Sequence, residues 1–168
     1  MKTKINMLRT VFILMSFSLL GTISFGQTTF EDRTLNFLNE VTQMTTINQL
    51  ESLMLKKKFV FVEKTVLENM GEAFVYKGGW GQEIMIAYTK DNKLVFATEQ
   101  IASLRQSFIK IELEKDGFKM VSTTIQKDDD GNIETKWGKP GYPYKFVLLE
   151  GDNRFTYVTL VTKVSKNY

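Results

Sequence analysis

The chain of 168 residues contains no cysteine and no histidine. Without cysteine there is no disulfide and no thiol nucleophile, and without histidine there is no imidazole base to activate a serine hydroxyl. The two residue types that hold most structural zinc ions are the same two that are missing. These absences exclude the commonest nucleophilic and zinc chemistries, so we expect a protein that is not an enzyme and that uses no metal or other cofactor.

The formal net charge of +3 comes entirely from the start of the chain. Lys2, Lys4 and Arg9 precede Gln27 with no acidic residue among them, which leaves 19 basic and 19 acidic residues after that point. A neutral chain has no electrostatic footprint for nucleic acid. Residues 27–168 are enough to bury a hydrophobic core without disulfides, so we expect them to form one domain.

The first 26 residues have the pattern of a secretory signal peptide. The three basic residues precede the unbroken apolar run Val11–Leu20, and the small residues Ser24 and Gly26 suit a cleavage site before Gln27. The uncharged stretch from Val11 to Gly26 has 16 residues, fewer than the ~20 that a membrane-spanning helix needs. We therefore expect residues 1–26 to be removed, leaving a periplasmic or secreted bacterial protein with no membrane span.

Hydrophobic periodicity predicts three helices. Thr29 and Asp32 can cap the first, Thr46 precedes the second, and the third spans Glu99–Glu114 and ends at Gly117. Their apolar stripes are Leu35, Leu38 and Val41, then Ile47, Leu50, Leu53 and Met54, then Ile101, Leu104, Phe108 and Ile111.

Short runs of β-branched and aromatic residues, bounded by turn residues, predict strands. They are Phe59–Val62, Ala73–Tyr76, Glu83–Thr89, Leu94–Thr98, Phe118–Lys127, Ile133–Trp137, Tyr144–Glu150 and Phe155–Val164. Turn-forming residues at 90–93, 128–132 and 151–154 join them into hairpins. The expected fold class is α+β, with one antiparallel sheet and the helices packed on one of its faces.

The order of elements is repeated along the chain. The matched pairs are Phe59 with Phe118, Trp80 with Trp137, and Phe96 with Tyr157, at offsets of 59, 57 and 61. Either unit alone could not cover both faces of its sheet. We therefore interpret residues 45–98 and 99–165 as two tandem helix-plus-antiparallel-strand repeats that form a single sheet.

With its repeated Trp-Gly and Asp-Asn sites, this order resembles the tandem α-plus-antiparallel-sheet modules of secreted bacterial proteins. The β-lactamase inhibitory proteins and the PepSY-like periplasmic domains are the groups it is most similar to. The resemblance extends over residues 27–168 and implies an architecture alone, since fold analogy does not transfer function. No motif specific to either group is found in the chain, and in particular the paired disulfides of the inhibitors cannot form without cysteine.

One acidic loop has the composition of a calcium site without its spacing. Asp128, Asp130 and Asn132 alternate as calcium ligands do, but Ile133 stands where the helix-loop-helix motif has glycine. Lys139 stands where that motif has a bidentate glutamate. A hairpin turn explains the same residues, and we predict no metal site here.

Four aromatic residues are the candidate binding residues. Trp80 and Trp137 occupy matching positions beside glycines, while Tyr142 and Tyr144 flank Pro143 in a loop. Tryptophan and tyrosine give large contact areas and are enriched at interface hot spots. The alternative for the two tryptophans is that they close the ends of the core; for the two tyrosines we expect exposure.

We expect an exported, non-catalytic binding module that engages a still unidentified protein partner, in the cell envelope or outside the cell. The contacts would come from an open sheet face and the aromatic loops. The alternative is a periplasmic carrier of an apolar or carbohydrate small molecule, which predicts a cavity of roughly 300 Å³ or more lined by phenylalanine and methionine. Carboxylates such as Glu83 and Glu134 could do acid–base work, but nothing in the sequence brings them together.

Overall fold

The computed structural model describes residues 28–67, 71–125, 132–150 and 155–162, with the side chain of Trp80 outside the described part. The helices are α1 (Arg33–Val41), α2 (Ile47–Lys56) and α3 (Gln106–Lys115). The strands are β1 (Val60–Leu67), β2 (Gly71–Lys77), β3 (Glu83–Tyr88), β4 (Leu94–Ala102), β5 (Lys119–Ile125), β6 (Ile133–Gly138), β7 (Tyr144–Glu150) and β8 (Phe155–Thr162). Within these ranges no helix is both long and apolar enough to cross a membrane. The signal-peptide prediction and the acidic residues 128–130 lie outside the described residues.

The strands form one eight-stranded sheet in the order β1-β2-β3-β4-β8-β7-β6-β5. Every neighbouring pair is antiparallel, so each half of the chain contributes a four-stranded meander. The two meanders join through their last strands, where Thr98 of β4 pairs with Thr159 of β8. The predicted α+β class is confirmed.

The three helices of the described residues lie on one face of the sheet. Alternation along β7 shows the arrangement, because Phe146 and Leu148 are buried while Lys145, Val147 and Leu149 are only partly covered on the other face. The largest fully buried side chains of the core are Phe118, Phe146, Leu35, Leu38, Leu50, Met54, Ile84, Ile86, Ile109, Leu113, Leu148 and Leu160.

Asp32, one of the two candidates for the first helix, and Thr46 are the N-caps of α1 and α2. The Asp32 carboxylate accepts hydrogen bonds from the backbone amides of Thr34 and Leu35, at 2.8 and 3.1 Å. The Thr46 hydroxyl accepts one from Gln49 at 3.3 Å. Each bond satisfies a donor that the helix leaves free in its first turn.

The predicted start and stripe of the third helix are wrong. Residues Glu99–Ala102 continue β4, a 3₁₀ turn follows at Ser103–Arg105, and α3 begins only at Gln106. The predicted apolar stripe is largely exposed: Leu104, Phe108 and Ile111 are 89%, 68% and 61% accessible. Ile109 and Leu113 face the core instead. Pairing of β4 with β8 extends the strand through residues whose spacing also fits a helix, so tertiary contacts override the local pattern.

The two halves match in detail where α2 and α3 end. Lys58 and Gly117 both adopt the left-handed conformation, at φ values of 63° and 80°. The next amide donates to the last helical turn at 2.9 Å in each case, from Phe59 to Met54 and from Phe118 to Leu113. A bulge follows after Phe61 in β1 and after Met120 in β5. This equivalence supports the repeat interpretation, which stays a prediction.

Candidate functional site

The face of the sheet opposite the helices carries a groove of about 500 Å³. Four neighbouring strands, β4, β8, β7 and β6, form its floor. The lining residues are Thr98, Glu134, Lys136, Lys145, Val147, Leu149, Tyr157, Thr159, Val161 and Thr162. We call this surface the open-face groove.

Strand register places these side chains together. Val147 of β7 lies directly opposite Thr159 of β8, and Thr159 lies opposite Thr98 of β4. Side chains directly opposite each other in an antiparallel pair project to the same face. At the centre of the groove the Thr159 hydroxyl donates a hydrogen bond to the Thr98 hydroxyl at 2.8 Å. The floor is therefore a continuous strip of apolar and hydroxyl-bearing side chains.

The charges at the groove are unequally partnered. Lys136 pairs with Glu134, with Nζ and Oε1 2.9 Å apart. Lys145 has no ion pair or hydrogen bond with any described residue. Lys119 of β5 and Lys145 of β7 both lie opposite Gly138 in the register, and Lys119 likewise has no described partner. An apolar floor beside the ammonium group of Lys145, which has no described partner, suits a ligand that combines an apolar group with a carboxylate.

The other half of the same face is filled by the protein itself. Ala73, Ala87 and Val95 form a small buried cluster there. They are covered by the larger side chains of Leu67, Met85 and Phe96. The open-face groove is consequently confined to strands β8, β7 and β6 and to Thr98 of the adjacent β4.

Trp137 belongs to the core rather than to a binding surface. It is only 4% exposed, lies on the helix-bearing face, and donates a hydrogen bond from Nε1 to the Thr135 hydroxyl at 3.1 Å. The core alternative therefore applies to this residue, and a role in contacting a partner is no longer proposed for it. Trp80 lies in the 3₁₀ turn Gly79–Gly81, with its side chain outside the described residues.

The expectation that Tyr142 and Tyr144 are exposed is wrong, because both are partly buried against the core. The Tyr142 hydroxyl donates to Asn39 Oδ1 at 2.7 Å, and its ring stacks on Phe146 with centroids 6.2 Å apart. Tyr144 packs edge-on against Tyr142 at 5.8 Å. Burial raises the pKa of both phenols above the usual value, so both stay protonated at physiological pH. These tyrosines fix the 139–143 loop to α1.

The structure does not bring Glu83 and Glu134 together as an acid–base pair. Glu83 of β3 lies beside Lys77 at 3.6 Å, while Glu134 of β6 is paired with Lys136. Strands β4, β8 and β7 separate them in the sheet. Among the described residues there is also no group of carboxylates that could hold a metal ion.

The groove residues were only partly visible in the sequence. Alternation along residues 144–150 already sets Lys145 apart from Phe146 and Leu148. It cannot show that Val147 will face Thr159, because that contact depends on which strand β7 meets. The four aromatic residues were predicted as binding residues from the size of their side chains, but large aromatic side chains fill cores as readily as they form interfaces.

The fold and the groove thus describe an α+β protein with one helix-covered and one uncovered sheet face. Comparison of the chain with protein-family models, with curated proteins and with solved structures found no match in any of the three. The resemblance to the β-lactamase inhibitory proteins and the PepSY-like domains therefore stays a prediction.

Proposed function

We propose that this protein is an exported, non-catalytic binding module that holds a protein partner in the open-face groove. The observation that carries the proposal is the groove itself. A concavity of about 500 Å³ with a mainly apolar floor is left uncovered by the helices that bury the opposite face. Uncovered apolar concavities of this size are typical of binding sites.

The position of the groove favours a protein partner over a carried small molecule. A carrier that encloses its ligand between sheet and helices would have phenylalanine and methionine around the cavity. The groove instead lies on the outer face and is lined by threonine, valine and lysine side chains. A partner can reach such a surface with a loop or a convex face without any opening of the core.

Lys145 indicates which chemical groups a partner would present to the groove. Its ammonium group has no described ionic partner and stands beside Val147 and Leu149 on the same strand. A partner loop that carries an acidic side chain next to an apolar one would satisfy both features. Charge pairs of this kind supply specificity and speed of association more than raw affinity.

The test compares three versions of the full chain as bait in cross-linked capture from the native host. They are the parent, a Lys145→Glu/Val147→Thr variant of the groove, and a Lys90→Glu control. Lys90 is exposed at the tip of the β3–β4 hairpin, so the control reverses the same charge away from the groove. Threonine keeps the branched shape of valine and suits a strand.

We expect the parent and the control to capture the same protein, and the groove variant to capture about tenfold less of it. Circular dichroism and thermal unfolding of all three versions check that they fold alike. Equal capture by all three would place the interface elsewhere, and capture by none would contradict a protein partner.

A further inference from the structure

A second concave region lies at the end of the sheet where α1 begins. It consists of a cavity of about 310 Å³ and an adjoining pocket of about 70 Å³, and both are lined by Arg33 and Gln82. The two share no lining residue with the open-face groove. Three elements converge here: the first turn of α1, the Gly79–Gly81 turn, and the point where β4 leaves the sheet.

Glu99 is the buried acid of this region. It is only 2% exposed and lines the smaller pocket. Gln82 Nε2 donates a hydrogen bond to its Oε1 at 3.3 Å, while Oε2 is buried with no hydrogen-bond partner in the described structure. A buried carboxylate oxygen that accepts no hydrogen bond lowers the stability of the fold, and such oxygens are rare in natural proteins. Glu99 lines the 70 Å³ pocket, so a donor that a ligand brings into this pocket lies next to the carboxyl group.

The donors of the region come from guanidinium and amide groups. Arg105 is already engaged, with Nη2 2.6 Å from Asp32 Oδ2 and Nη1 3.1 Å from the Thr34 hydroxyl. Arg33 is exposed and has no hydrogen bond or ion pair with a described residue. Its five N–H donors are therefore open to a ligand.

The charges of the region balance. Three cations stand against three carboxyl groups, namely Arg33, Arg105 and Lys57 against Glu99, Asp32 and Glu40. Arg105 is paired with Asp32 at 2.6 Å and Lys57 with Glu40 at 2.9 Å, so Arg33 and Glu99 are the two left over. Arg33 and Glu99 line the same 70 Å³ pocket, so donor and acceptor lie side by side rather than at opposite ends. A simple ion of either sign would be repelled by one of these two groups, whereas a hydroxyl group donates to a carboxyl group and accepts from a guanidinium at one atom. An α-amino acid, with ammonium and carboxylate on one carbon, is the competing ligand.

We propose that this region binds a neutral, hydroxyl-rich small molecule of the saccharide class. One hydroxyl donates to the Glu99 carboxyl group and accepts from the Arg33 guanidinium. The amides of Gln82 and Gln100, which lines the larger cavity, meet further hydroxyls. The exposed ring of Phe155 forms an apolar wall against which the C–H face of a sugar ring packs.

The test is saturation-transfer NMR on the full chain, with monosaccharides added singly at millimolar concentration. The probes are glucose, galactose, mannose and N-acetylglucosamine, with glycine and phenylalanine as zwitterions of similar size. We expect saturation transfer to at least one sugar and none to either amino acid. Transfer to the amino acids alone, or to no probe, would overturn the proposal.

Three variants locate the site. Arg33→Ala removes an exposed side chain, and Glu99→Gln keeps the shape of the buried acid while removing its charge. Each is expected to weaken sugar binding about tenfold, as loss of a hydrogen bond to a charged group does. Lys145→Glu, in the open-face groove, should leave sugar binding unchanged. Unaltered binding in both site variants would overturn the assignment, and none of these results depends on whether the groove holds a protein.

Discussion

At the scale of single residues, Glu99 is the one acidic residue that is buried in the described part of the chain. It lies on β4 opposite Ile84 and Val158, beneath the first turn of α1. Burial raises the pKa of its carboxyl above 4.5, and Arg33, Thr34 and Arg105 offset this in part. The folded state therefore holds the proton more tightly than the unfolded chain does.

A pH dependence of stability follows from that shift. Because the folded pKa lies above the unfolded one, the Glu99 contribution to the free energy of unfolding is largest at low pH. It falls as the pH rises from the unfolded value of about 4.5 through the raised folded value. Glu99→Gln removes the titrating group, so its stability relative to the parent should rise with pH over this window. Urea unfolding of both chains between pH 4 and pH 8 measures the difference, and a constant difference would contradict the account.

The aromatic candidate residues show that residue type alone does not predict whether a side chain is exposed or buried. Tyr142 reaches Asn39 across 103 positions of the chain. The partner is an amide whose own Nδ2 donates to the Thr28 carbonyl at 2.7 Å. No residue of the 139–143 loop predicts that contact. A tyrosine between two prolines is expected to be exposed, and only the packing of α1 against the loop shows that it is not.

At the scale of elements, the sequence predicted the bounds of a strand or helix best where several local signals agreed. Strand β7 has the predicted bounds Tyr144–Glu150, because its alternation is framed by turn residues on both sides. Helix α1 starts where Asp32 predicts. The start of α3 was mistaken because Ile101 continues both the helical spacing of Leu104 and Phe108 and the alternation of β4. Only the pairing of β4 with β8 decides between the two patterns.

Two substitutions on α3 test which of its faces is buried, the face seen in the structure or the apolar stripe that the sequence predicts. Ile109→Ala removes a fully buried side chain and should lower the free energy of unfolding by about 2–5 kcal/mol, the range for core truncations to alanine. Ile111→Ala changes an exposed side chain on the same helix and should change it by less than about 0.5 kcal/mol. Denaturant unfolding of the two variants gives the comparison. The opposite order would restore Leu104, Phe108 and Ile111 as the buried stripe.

At the scale of the whole molecule, the sequence predicted the layers but not their assembly. Helices on one face and antiparallel strands follow from periodicity and turn chemistry. The strand order, with the last strands of the two meanders paired at the centre, does not, since hairpin signals connect only neighbours in the chain. The open-face groove depends on that order, because β4 supplies Thr98 while the later strands supply the remaining lining.

The central claim is that a protein partner occupies the open-face groove, and site-specific photo-crosslinking tests it most directly. Benzoylphenylalanine replaces Tyr157, an exposed residue of the groove, in one version of the full chain, and Phe108, an exposed residue of α3 on the helix-bearing side, in another. Both versions are irradiated in the native host. The account predicts a discrete protein adduct from position 157 and none from position 108. An adduct from position 108 alone would contradict it and place the partner on the helices.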